Sequence, residues 1–290
     1  MDQIAIAVTD THTGGGGESS CGTAYLPEEC IASILSFTTP RDACRSSLVS
    51  TMFKSAADSD AVWERFLPPE YKTLMSLLPP ADSFSCSSMK ELYLGLSGYG
   101  PILIENGRKS FLLERPSGKV CYMLSARDLA IVWSNLSCSF WRWISLPDSR
   151  FPEVARLNAV WWLEISGTIS SQMLSPETLY TAYLVYKLTP EAVGFDCQAV
   201  EVSVGLVGSE SCKRSVYLDD SKRGNPAGED DPQYQQPYER ADGWLEVELG
   251  EYFNKGYAGG ELEISVLEIE RGHQKRGLIV HGIDLRPKQS

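Results

Sequence analysis

Cysteine, histidine, paired carboxylates and tryptophan are the residue types here with chemistry to offer, and their spacing decides which of them to follow. Eight cysteines (Cys21, Cys30, Cys44, Cys86, Cys121, Cys138, Cys197, Cys212) contain no CxxC pair, and the three histidines (His12, His273, His281) lie apart from one another. A zinc site has little support from that spacing, and neither metal nor cofactor is expected. A catalytic cysteine needs a histidine beside it in space, whereas His273 and His281 fall in segments that read as strand or turn. The thiols are expected to be reduced and mostly buried.

Paired carboxylates raise glycoside hydrolysis, which needs two carboxyl groups about 5–9.5 Å apart. Glu261 and Glu263, like Glu246 and Glu248, share a strand face at roughly 7 Å. Alternating Glu on an open strand face is ordinary solvation, so the reading goes against an enzyme. The basic runs at Lys213–Arg214, Lys222–Arg223 and Gln274–Arg276 are too short for a nuclear-import patch and read as surface charge.

The elements that must position these residues begin with composition. The chain has 290 residues, of which 43% are hydrophobic, enough for one large domain or two unequal ones, each with a packed core. Lys and Arg total 26 against 38 Asp and Glu, and the deficit is spread evenly, leaving no basic half to grip nucleic acid. No apolar run approaches the roughly 18–20 residues that span a bilayer, and the N-terminus lacks a basic segment followed by an apolar one. Neither membrane nor export is expected, and the chain is placed in nucleus and cytoplasm.

Residues 1–24 hold the run THTGGGGESS and read as a disordered tail. From Leu26 to about Leu96 the spacing is helical. Ile31, Ile34 and Leu35 stand at i, i+3 and i+4, Pro40 opens a second helix, and further helices are expected over Ser50–Ala57, Ala61–Phe66, Tyr71–Leu78 and Met89–Leu96. After Gly100–Pro101 the period changes to 2. Val200, Val202, Val204 and Leu206 alternate with polar residues, as do Leu245, Val247 and Leu249, then Leu262, Ile264 and Val266, then Trp161, Leu163 and Ile165. The alternation puts Trp161 in the core. With no helical stretch to supply crossovers, the second domain reads as an antiparallel β-sandwich or jelly roll, and the fold class as α+β in two domains. Ser221–Arg240 reads as a long exposed loop.

The first module resembles an F-box. LPEECIASILSFTTPRDAC at Leu26–Cys44, continued by Leu48, Val49, Ser50 and Phe53 to Ala61–Val62–Trp63, follows that family's order of residues. The resemblance implies docking to the Skp-type adaptor of a cullin ubiquitin ligase through Leu26, Pro27, Ile31, Ile34, Leu35 and Pro40. Many F-boxes carry Leu where Thr38 stands.

The second domain, roughly Lys109–Pro287, is similar to the phloem protein 2 family and its Nictaba-like lectins. The similarity rests on SFLLERPSGKVCYMLSARDLAIVW at Ser110–Trp133, FWRW at Phe140–Trp143, VARLNAVWWLEISG at Val154–Gly167, LSPETLYTAYLVYKL at Leu174–Leu188, GWLEVELGEY at Gly243–Tyr252 and GLIVHGIDLRP at Gly277–Pro287. The chain thus divides into a 25–70 F-box, a 71–104 helical linker and a 105–290 lectin-like domain, a plant architecture.

The resemblance implies a ligase substrate receptor that binds N-acetylglucosamine- or N-acetyllactosamine-type glycans or glycoproteins. The alternative is a receptor whose sandwich binds a protein target and has lost sugar binding. The family's sugar-contacting tryptophans fall on Trp133 and Trp141, with Trp143 a rival for the second role, and its acidic partners on Glu261 and Glu268. Seven residues of strand separate those two acids by roughly 23 Å and put them on opposite faces, unless a bulge near Val266–Leu267 returns Glu268 to the face of Glu261.

Overall fold

A computed structural model describes residues 26–77, 86–135, 140–195, 199–209, 211–219, 236–256, 259–269 and 272–288. The tail, Cys21, Cys138, Cys197, Lys222–Arg223 and most of the Ser221–Arg240 loop lie outside them.

Six α-helices come first among the described residues: α1 (Glu28–Leu35), α2 (Pro40–Ser46), α3 (Thr51–Asp58), α4 (Asp60–Phe66), α5 (Tyr71–Leu77) and α6 (Met89–Gly98). Side-chain caps start three of them. Thr39 accepts from the Asp42 N–H with Pro40 at the first turn of α2, Ser50 accepts from Phe53 N–H at α3, and Ser88 from Glu91 N–H at α6. Ile31, Leu35, Ala56, Ala57, Val62 and Trp63 form the helical core. Trp63 is fully buried and donates its indole N–H to the Ala57 carbonyl at 2.6 Å.

The rest is antiparallel. One sheet orders β1 (Ile102–Ile104), β2 (Lys109–Leu113), β3 (Val120–Ser125), β14 (Arg276–Pro287), β8 (Thr178–Val193), β12 (Leu245–Asn254) and β11 (Tyr238–Glu239), with β6 (Val154–Leu157) also on β14 and β5 (Trp141–Ile144) on β6. The facing sheet orders β10 (Cys212–Val216), β9 (Val200–Leu206), β13 (Glu261–Glu268), β7 (Leu163–Ser170) and β4 (Ala130–Ile131). Their inner faces pack as a sandwich. At Gly167 on β7 an added Cβ would press on the methyl ends of Leu129 and Leu124, the latter on the opposite sheet, so glycine eases the close approach of the two sheets there. The end of the expected loop is ordered as β11 on β12.

Helices and sandwich share one continuous core rather than two. Tyr93 on α6 packs on Trp63 and Phe66 with ring centroids 5.2 and 6.4 Å away, and its hydroxyl reaches the Glu114 and Arg115 carbonyls at 3.3 and 3.0 Å. Arg41 N–H donates to the Pro116 carbonyl at 3.3 Å, and buried Pro40 lies against Gly118. Within 71–104, α6 is therefore a joint packed on both sides, and the β1 residues already belong to the sheet.

Candidate functional site

On the F-box, helical phase sorts the six expected adaptor residues. Ile31 and Leu35 point into the core, and Pro40 is buried in the joint with the sandwich, so these three do not present a docking surface. Leu26, Pro27 and Ile34 do face solvent, Ile34 being 56% exposed. Phe37, Leu48, Val49 and Met52 join them as exposed apolar side chains; Leu48 and Val49 carry the resemblance, but none of the four was among the six expected adaptor residues. Arg65 stacks on Phe37 at 4.1 Å.

On the sandwich, the residues indicated by family resemblance fall in different environments. Trp133 is half-buried just beyond β4, with φ at 68°, a conformation that costs a bulky residue strain. Trp141 is a core residue, 3% exposed, its indole N–H donating to the Val132 carbonyl at 3.1 Å. It braces the segment carrying Trp133 and offers no platform of its own. Trp143, the rival, is partly buried with Arg127 stacked on its ring at 3.7 Å.

The two acids are not brought together. Strand β13 pairs with β7 residue for residue from Glu261 to Glu268, with no bulge to bring the two acids to one face. Leu262, Ile264, Val266 and Glu268 therefore share the buried face, while Glu261 stands exposed at the far end on the other. Glu268 forms an ion pair with Lys275, which is itself 0% exposed and donates to the carbonyls of Trp161 and His273 at 3.2 and 3.1 Å. The Lys within Gln274–Arg276 is thus a core residue, not surface charge.

That lysine holds the turn before β7, where Val160 bridges to Lys275, and the turn carries Trp161 and Trp162 into solvent at 51% and 40% exposure. Trp161 leaves the phase of Leu163 and Ile165 because β7 begins only at Leu163. The Trp162 ring lies 5.4 Å from that of Trp133, and Phe140 lies 5.8 Å from Trp133 on another side. A tryptophan pair at the end of the smaller sheet is thus solvent-facing, and a doubled Trp at a strand start was its only mark in the sequence.

Other groups are engaged structurally. Glu246 pairs with Arg240 and Arg286, and Glu248 with Arg214, so neither is a free carboxylate poised for hydrolysis. Against the larger sheet, His281 stacks on Trp244 at 4.2 Å and accepts from the Arg150 N–H at 3.1 Å. Burial first, then Arg150 and Arg240, depress its pKa to about 4. The thiols of Cys30, Cys44 and Cys212 are exposed, against expectation; Cys121 is buried, and burial raises it to about 12. Among the described residues no group of three or more potential ligands clusters for a metal, and no helix is long and apolar enough to cross a membrane.

A phloem protein 2 family model matches residues 119–287, and an F-box-like model residues 23–68. Three Arabidopsis thaliana relatives agree along nearly the whole length. F-box protein At2g02240 is 46% identical over all of this chain and 89% of its own length. F-box protein PP2-B10 is 44% identical over 90% of this chain and 93% of its own, and F-box protein SKIP3 41% identical over 90% and 87%. Helices with an exposed apolar face, joined to an antiparallel sandwich and matched by relatives end to end, settle the family: the chain belongs to the plant F-box proteins that carry a C-terminal phloem protein 2 domain.

Proposed function

We propose that this protein is the substrate receptor of a Skp-cullin-F-box ubiquitin ligase, whose sandwich binds N-acetylglucosamine- or N-acetyllactosamine-type glycans or glycoproteins. The observation that carries the ligase half is the number of large apolar side chains left in water on the small F-box, namely Leu26, Ile34, Phe37, Leu48, Val49 and Met52. Exposed apolar surface of this kind supports a protein interface. An adaptor laid over these residues buries what the fold leaves open. The chain needs no catalytic residues of its own, since ubiquitin transfer takes place on other subunits. The compartments are nucleus and cytoplasm.

The glycan half is supported by solvent-facing tryptophan beside Trp133, because a sugar ring offers an apolar C–H face that packs on an indole. Burial of Trp141 and Glu268 favours the rival in which the same end of the sandwich grips a protein. A glycan array probed with the full chain, beside co-purification with a Skp-type adaptor, tests both halves. Array-positive glycans and adaptor capture are expected. An array without a single hit supports the protein-binding rival, and loss of the adaptor removes the ligase assignment.

A further inference from the structure

We infer that the ligand face of the sandwich is built by Trp133, Trp161 and Trp162 with Glu164 as its hydroxyl-accepting carboxylate, and that it takes neutral oligosaccharides of two or more pyranose rings. The inference rests on the carbohydrate reading above and assigns its residues and its ligand class.

Exposure comes first. Trp63 and Trp244 are fully buried, yet the turn before β7 holds two adjacent indoles in water. Lys275, bonded to the Trp161 carbonyl and neutralised by Glu268, fixes that turn from below, so the exposure is built into the fold. Trp133 is set against Trp162 with the ring planes 59° apart and the centroids 5.4 Å apart, so the two indoles touch and form one angled aromatic surface. An indole on such a surface suits one C–H face of a pyranose.

The polar partner follows from strand pairing. Glu164 stands two residues past Trp162, exposed on the outer side of β7, where burial alternates. The N–H of Val132, the residue before Trp133, donates to the Glu164 carbonyl at 3.1 Å, tying the two aromatic segments together at this acid. Among the described residues no side chain forms an ion pair or hydrogen bond with the Glu164 carboxylate. It is therefore available to accept from sugar hydroxyls. A carboxylate at this end of β7 also repels uronic or sulfated sugars, which leaves neutral ones. Trp161, exposed on the same turn, is the indole left to meet a second ring.

The experiment uses the full chain and an array of neutral and acidic glycans, followed by calorimetric titration of an array-positive oligosaccharide. Trp162→Ala and Glu164→Gln are each expected to weaken binding about tenfold or more without lowering the melting temperature, as for residues at a binding hot spot. Trp161→Ala should weaken a tetrasaccharide more than a disaccharide, and Glu261→Gln should change neither. If Trp162→Ala melts early, Trp162→Leu and Glu164→Gln decide. Binding within about twofold of wild type for those variants, while Trp133→Ala loses it, overturns this inference and spares the carbohydrate reading. Hits confined to acidic glycans overturn the ligand class. A wild-type chain that binds no glycan overturns both.

Discussion

Lys275 and Trp161 meet through a 3.2 Å hydrogen bond from a buried ammonium to a backbone carbonyl, with the Glu268 carboxylate against the same nitrogen. The ammonium is cut off from water and Glu268 supplies its counter-charge, so removing one partner strands a charge in the core. Lys275→Met is expected to cost about 3–5 kcal/mol of stability, and the double change Glu268→Leu/Lys275→Met markedly less than the single one. Urea unfolding of wild type, both single variants and the double closes the cycle. A double variant as unstable as the sum of its parents contradicts the pairing.

Tyr93 supports the joint between the domains. Tyr93→Phe removes only a hydroxyl that donates to backbone carbonyls and should cost about 1 kcal/mol, whereas Tyr93→Ala empties the space beside Trp63 and should cost about 3–5 kcal/mol. Because the core is continuous, both variants should shift one cooperative transition of the whole chain. Calorimetric scans that resolve two transitions, only one of them moved, contradict a shared core. For the same reason, deleting the F-box should destabilise the sandwich rather than leave it untouched.

The two faces of α1 give a contrast. Ile31→Ala and Leu35→Ala should each destabilise the fold by about 2–5 kcal/mol, since both residues are 4% exposed. Ile34→Ala and Leu26→Ala should leave the melting temperature alone and weaken adaptor binding instead. Thermal melts and adaptor titrations on all four variants check the division. A core-like loss at Ile34 places it on the wrong face.

His281 ties stability to pH. Its folded-state pKa of about 4 lies below the ordinary 6.5, so between those values the unfolded chain holds a proton that the folded chain does not. Stability should be level above about pH 6.5 and fall by up to about 3 kcal/mol as pH drops towards 4. Arg150 and Arg240 disfavour the charged ring, and Asp148 and Asp242 favour it. Denaturant titrations from pH 4 to 8, with His281→Phe as the comparison, read the slope. An equal slope in the variant assigns the effect to other groups.

Much of this fold is written locally. Pro40 announces α2 and the Ile31, Ile34, Leu35 spacing announces α1, while the Val200–Leu206 and Leu262–Val266 alternations announce strands and their buried faces. That parity already put Glu268 inward, with no bulge needed. The partner of Glu268 was not legible, because a buried lysine in Gln-Lys-Arg looks like any surface cation until the chain folds it beneath Trp161. Trp161 was misread because alternation was extended past the true start of β7. The shared core escaped as well: a change of period from 3.6 to 2 reports backbone conformation, not whether the two sides pack together.

The joint at Tyr93, Pro40 and Gly118 has a consequence for reach. With helices and sandwich sharing one core, the span from the open face of α1 to the tryptophans before β7 is a fixed length, so the chain works as a gauge rather than a tether. Under the proposed function, a captured glycoprotein is then sorted by the length of its own sugar stem and the position of its lysines, for the receptor cannot flex to meet them.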